Sequence, residues 1–256
     1  MTMTPPPPHS IHALSPLKWL RLGWHDLMRH PLPGLIHGMA VSLFGLFLIV
    51  VAKDQFWWLA GAFSGFLIVA PILATGLYTV SRRAQLGLSL SSREVLAVWL
   101  SGDRRLMGFG ALLAAAGTGW VLTSAGLITL WAPAPIHNPA DFVEVVVLAH
   151  SPGLFEVWVL LGALLAAPMF ASSVVTLPLL VDSSMPLWPA IGQSWRAVGT
   201  YPIVMGIWAL LIAALVSLGL LTLMLGLVVI VPWLGHASWH AYADLKRAGA
   251  VSALTN

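Results

Sequence analysis

The chain has 256 residues, 59% of them hydrophobic and only 8% charged, where soluble domains carry roughly 25% charged residues. A soluble fold cannot hide that much apolar surface, and the length is needed for membrane spans and short connectors. With no cysteine, disulfides, thiol catalysis, thiolate metal sites and c-type haem attachment are excluded. The net charge is +3, and the basic residues follow membrane topology; the expected partner is therefore the lipid bilayer and not nucleic acid.

The first ten residues, MTMTPPPPHS, lack the basic segment and apolar core of a signal peptide. Four consecutive prolines favour extended backbone, so residues 1–13 are expected to form a disordered cytoplasmic tail. Residues 17–30 read as an amphipathic helix with Leu17, Leu20, Trp24 and Leu27 on one face and Lys18, Arg21, His25 and Arg29 on others. The first apolar span is 34–52 and the second 56–80. Ser91 stands three residues before Glu94, a capping-box pattern, and opens a second amphipathic segment with Val95, Leu96 and Trp99.

The third span, 106–131, contains no charged side chain, and the fourth is 154–180. A third amphipathic segment follows, with Trp188, Ile191, Trp195 and Val198. The apolar run 202–242 would be roughly 60 Å long as one helix, twice a hydrocarbon core of about 30 Å. It must fold back, with Gly219 and Gly226 bracketing the turn, and so gives spans five and six. A six-helix membrane domain over 14–245 and a short cytoplasmic tail over 246–256 complete the organisation. The expected fold is an all-α polytopic bundle of three tandem transmembrane hairpins with interfacial amphipathic helices.

Charge sets the orientation. Eleven of the twelve Lys and Arg residues fall on one side of this threading, and only Lys53 falls on the other, with Asp54, Asp141, Glu144 and Glu156. The positive-inside rule places both termini in the cytoplasm, in a bacterial inner membrane.

The hairpins read as a threefold repeat. Trp24, Trp99 and Trp195 each stand seven residues before a span start at Pro31, Leu106 and Pro202. The return spans carry Pro71, Pro168 and Pro232, each followed four residues later by Thr75, Ser172 and His236. A proline inside a span frees a backbone carbonyl. Stripes of small residues, Gly34–Gly38–Ser42, Gly61–Gly65 and Gly110–Ala114–Thr118, allow close helix approach where lipid supplies no hydrophobic drive.

Few residues carry chemistry. His236 and His240 are four apart and share a helix face, spacing that suits two ligands to a metal or haem. His37 lies at a comparable depth in span one. The reading adopted for His236, His240 and His37 is interhelical hydrogen bonding without a metal or haem cofactor, and no catalytic residue is assigned. Tyr78, Trp239 and Tyr242 read as interface anchors, and Asp182 as a helix cap or a partner of a loop arginine. Arg82–Arg83 and Arg104–Arg105 enforce topology and suit anionic lipid headgroups. No span has a charged group near its middle, as ion-coupled transporters do, and there is no phosphate-binding loop, HExxH or GxSxG motif.

Four strings resemble one family. The segments LKWLRLGWHDL at 17–27, GLYTVSRR at 76–83, LPLLVD at 177–182 and GHASWHAY at 235–242 are similar to motifs of domain of unknown function family 2189. The resemblance implies a prokaryotic integral membrane protein without an established activity. Some members are labelled as cytochrome c oxidase. A catalytic haem–copper subunit needs histidines on several helices, and only three fall in these spans. The expected role is therefore that of a scaffold, assembly factor or accessory subunit of a membrane complex, a respiratory one included. A carrier or pore for a small or lipophilic molecule is the alternative, and a haem or metal binder the weaker one.

Overall fold

The computed structural model describes residues 10–52, 73–88, 100–134, 136, 139–148 and 153–252, and every regular element among them is helical. The helices are α1 (Ser15–Arg29), α2 (Pro31–Ala52), α3 (73–85), α4 (Arg104–Trp131), the short α5 (Pro139–Phe142) with a π-helical turn after it, and α6 (Leu154–Ser173). Then come α7 (Thr176–Asp182), α8 (Leu187–Thr200), α9 (Pro202–Leu221) and α10 (Leu227–Arg247). Four stretches are long and apolar enough to cross a membrane: Pro31–Leu48, Arg104–Trp131, Leu154–Asp182 and Pro202–Leu221. Most of the expected second span, the 91–99 segment, the Gly61–Gly65 stripe and residues 1–9 lie outside the described residues.

Helix α10 is the axis, with α1 and α2 packed along it. Small residues decide how closely. A Cβ on Gly23 of α1 would stand 2.5 Å from the Ala237 amide nitrogen, and one on Gly34 of α2 would stand 2.6 Å from Leu27 and 3.1 Å from Pro232. At Gly38 a Cβ would overlap the carbonyl oxygen of Val228. That carbonyl lies four residues before Pro232, which has no N–H to offer it. The proline thus releases an oxygen, and the glycine lets α2 come down onto it. Ser42 completes the stripe by donating to the Met224 carbonyl at 2.9 Å. On α4 the packed stripe is Gly110, Ala114 and Gly117; Thr118 is exposed, because the face drifts by one position toward the residue without a side chain.

Two of the three expected elbows have the same backbone geometry. His30 closes α1 at φ −135°, ψ 65°, and Tyr201 closes α8 at φ −127°, ψ 57°. Each amide donates to the carbonyl four residues back, Asp26 and Ala197, and each precedes the proline that opens the next helix. A residue before proline avoids the helical region, while proline suits the first helical position. Both elbows therefore follow from local sequence, and the amphipathic helices are separate from their spans. At the start of α4 there is no proline; Asp103 caps it, accepting from the Arg105 amide at 2.8 Å.

The buried faces of these helices differ from the sequence expectation. On α1 the buried residues include Trp19, Leu20, Gly23, Asp26 and Leu27, while Leu17 and Trp24 are exposed. On α8 Ala190, Ser194 and Ala197 are buried, and Trp188 and Trp195 face outward. The bundle takes the face that permits close approach, and the outward tryptophans are left to the lipid interface.

The fourth span is broken at Val174–Val175 between α6 and α7. Pro178 has no N–H to offer the Val174 carbonyl, and the Val175 amide leaves the helix ladder to donate to Ser194 Oγ at 3.1 Å. At the end of α7 the Arg105 guanidinium donates to the carbonyls of Leu180, Ser183 and Met185 at 3.1, 2.8 and 2.9 Å, satisfying oxygens that a helix end leaves open. The turn between α9 and α10 falls between Gly219 and Gly226 as expected. Its left-handed positions are held by Leu223 and Met224, at φ 53° and 69°.

Candidate functional site

Four sequence motifs far apart in the chain converge around the C-terminal half of α10. The centre is a chain of buried polar side chains drawn from α1, α3 and α10. His240 Nε2 donates to Asp26 Oδ2 at 2.9 Å, and Ser81 Oγ donates to the same oxygen at 2.6 Å. Ser81 Oγ also meets His236 Nδ1 at 2.8 Å. Gln85 Nε2 lies 3.0 Å from His240 Nδ1, and Gln85 Oε1 accepts from Trp239 Nε1 at 2.9 Å.

The connectivity fixes the direction of each bond. An indole N–H only donates, so Trp239 holds the Gln85 oxygen toward itself and turns the amide NH₂ to His240. His240 Nδ1 must then accept, leaving its proton on Nε2 for Asp26. Ser81 has one proton and gives it to the carboxylate, so His236 Nδ1–H donates to Ser81. The order is Trp239 to Gln85 to His240 to Asp26, met from the other side by His236 to Ser81 to Asp26. His236 Nε2 is left with a buried lone pair and no hydrogen-bond partner among the described residues, pointing toward Gly34 on α2.

Two further carboxylates hold separate sets of donors beside it. Asp182, at the end of α7, accepts from Arg82 Nε at 3.0 Å, Tyr242 Oη at 2.8 Å and Lys246 Nζ at 2.5 Å. Asp244 accepts from Trp19 Nε1 at 2.8 Å and Lys18 Nζ at 3.2 Å, and also pairs with Arg247. Trp19 stacks edge-on against Trp208 of α9, with ring centroids 5.7 Å apart.

Burial works against ionisation of Asp26, but the bonds from His240 and Ser81 outweigh it, and its carboxyl sits below the usual range. Asp244 is held low in the same way: burial opposes, while Trp19, Lys18 and Arg247 prevail. For Asp103 the leading cause is the hydrogen bond from Arg105, which more than offsets burial.

The structure brings His236 and His240 into one cluster, as their spacing suggested, but gives His240 no free nitrogen for a metal. His37 turns Nδ1 to the Pro33 carbonyl on its own helix. Among the described residues no three His, Asp or Glu side chains are grouped as metal ligands. Tyr78, Trp239 and Tyr242 are buried inside the bundle rather than anchored at its lipid surface, because two of them supply polar hydrogens to Gln85 and Asp182. Asp182 pairs with an arginine, as one sequence reading had it. The sequence pattern does not mark Asp26, Ser81, Gln85, Trp19 or Asp244 as site residues. The signal available for three of them was membership of the motif strings 17–27 and 76–83.

The fold and this network define a helical integral membrane protein. Residues 58–182 match the model of a family described as predicted integral membrane protein (DUF2189), the family that the motif strings resemble. The matched segment includes the strings at 76–83 and 177–182; those at 17–27 and 235–242 lie outside it and meet the other two in space. No curated protein and no solved structure matches the chain.

Proposed function

We propose that this protein is a non-enzymatic inner-membrane scaffold or accessory subunit. In this reading it has six spans and cytoplasmic termini, and it assembles with other subunits of a membrane complex. One observation carries the proposal: the buried carboxylates where the four motifs meet are engaged by donors from neighbouring helices. Asp26, Asp182 and Asp244 each accept from two or more donors, and Ser81 and His236 are fully buried. Carboxylates engaged in this way position helices, and His236 Nε2, unengaged among the described residues, is buried. The union of Lys18 with Asp244 and of Arg82 and Lys246 with Asp182 supports N- and C-terminal segments on one side of the membrane.

The test is purification in a gentle detergent with an optical spectrum of the product. Stoichiometric co-purifying membrane subunits and no Soret band are expected. A Soret band that disappears in His236→Ala would overturn this reading in favour of haem binding.

A carrier of lipophilic molecules is the second reading, favoured by an apolar cleft of about 420 Å³ between α4 and α6. Gly117, Trp120, Gly162 and Met169 line it, and its volume lies within the small-molecule range of roughly 300–1,000 Å³. A carrier would also be expected to run a polar path past Thr75, Ser172 and His236, the residues that follow the span prolines. Ser172 is engaged by Trp195 and His236 by Ser81, and none of the three borders this cleft. Mass spectrometry of lipophiles extracted from the purified protein, with Gly162→Leu as the filled-cleft control, separates this reading from the first.

A further inference from the structure

A second cleft, of about 490 Å³, opens where α3, α7 and α10 end together. Its lining includes the cations Arg82, Lys246 and Arg247 and the carboxylate Asp182, while Arg247 also pairs with Asp244. That carboxylate engages the Nε edge of Arg82 at 3.0 Å and one proton of Lys246. The two terminal nitrogens of Arg82 make no hydrogen bond among the described residues. Arg82, Lys246 and Arg247 have side chains 43%, 40% and 56% exposed, so unused N–H donors remain at the mouth. Asp182 and Tyr242 fix the floor, with Lys246 lying 5.8 Å from the centre of the Tyr242 ring. Trp239 forms a wall, and Leu86, 60% exposed, forms an apolar rim.

We propose that this cleft binds the phosphate of an anionic phospholipid headgroup. Converging cations with spare, forked donors suit a phosphate oxygen set. The location favours lipid over free phosphate. Asp182 is the last residue of the apolar stretch Leu154–Asp182, so the cleft lies at headgroup depth. The exposed Leu86 would meet glycerol or acyl carbon there, where a soluble anion gains nothing from it. The cations are those of the side assigned to the cytoplasm, whose leaflet carries anionic lipid. This inference rests on the orientation proposed above and stands apart from the scaffold role.

The test uses the full-length protein in detergent micelles doped with phosphatidylglycerol or phosphatidylcholine, with bound lipid counted by native mass spectrometry. One phosphatidylglycerol per chain is expected in preference to phosphatidylcholine. Arg82→Gln and Arg247→Gln should each weaken its retention roughly fivefold, the effect of one surface cation on an anionic lipid. Arg196→Gln, an exposed basic residue elsewhere on that side, should leave retention unchanged. Arg82→Gln also removes a partner of Asp182, so circular dichroism checks its fold; Arg247→Gln decides the matter if that variant does not fold. Equal retention of the two lipids, or full retention by the variants, overturns the proposal. Displacement of phosphatidylglycerol by millimolar inorganic phosphate, together with thermal stabilisation by phosphate in lipid-free micelles, overturns the lipid assignment in favour of a soluble phosphate.

Discussion

Asp26 and His240 are 214 positions apart in the chain and joined by a 2.9 Å hydrogen bond in the fold. The bond ties the amphipathic α1 to the last helix, and it does so with a buried carboxylate. Single interhelical hydrogen bonds in membrane proteins average about 0.6 kcal/mol. This one sits in a chain where every neighbour depends on it. Removing one partner strands the others, which is costlier than the bond itself.

His240→Ala should therefore lower stability by roughly 1–3 kcal/mol, more than an average interhelical bond, because the Gln85 amide and one lone pair of Asp26 lose their partner together. Asp26→Ala should cost a similar amount, since the His240 and Ser81 donors would both lose the oxygen they share. Unfolding by denaturing detergent, followed by circular dichroism, measures both. Metal content by elemental analysis should be the same in wild type and His240→Ala; a stoichiometric metal lost in the variant would refute the hydrogen-bonding role.

Gly38→Ala should separate α2 from α10, because its Cβ would overlap the Val228 carbonyl. A loss of about 1–3 kcal/mol is expected, as for other overpacked sites. Gly119→Ala on α4 meets nothing within 4 Å and should be neutral or stabilising by about 0.5–1 kcal/mol. If the two variants melt together, the contact between backbone and glycine is not what sets the α2–α10 distance.

Acid should weaken the fold in a defined direction. Asp26, Asp103 and Asp244 all lie below the ordinary value of 3.8. A carboxyl depressed in the folded state contributes stability that is fully present above its unfolded pKa and is lost as pH falls through the folded one. Stability should be level from neutral pH down to about 5 and fall at lower pH. The Asp103→Asn variant should show a shallower acid limb in detergent-melt midpoints; an unchanged limb would remove Asp103 from the account.

Reporter fusions after Val80, Leu180 and Asn256 should all read cytoplasmic, given the distribution of basic residues. A periplasmic reading at the C-terminus would overturn the six-span threading, since Lys246 and Arg247 would then lie on the wrong side.

Composition and periodicity alone determined the solvent, the helical class and the approximate limits of the four apolar spans. Local chemistry also determined the elbows at His30 and Tyr201, because a proline restricts the residue before it wherever the helix packs. The stripe Gly34–Gly38–Ser42 marked a contact face for the same reason: close approach needs the absence of a side chain, which is visible in a sequence.

Which face of an amphipathic helix is buried, and which polar group meets which, only the tertiary structure decided. The sequence pattern puts Trp24 on the apolar face of α1, but it is Trp19 that is buried, with Asp244 of α10 accepting its indole proton. Asp26 looks like any interfacial charge until His240 and Ser81 converge on it. A hydrogen bond is specific to about a few tenths of an ångström, and its partners here come from helices whose mutual placement is fixed by packing of the whole bundle. Hydrophobic pattern carries burial, but it carries no record of the partner.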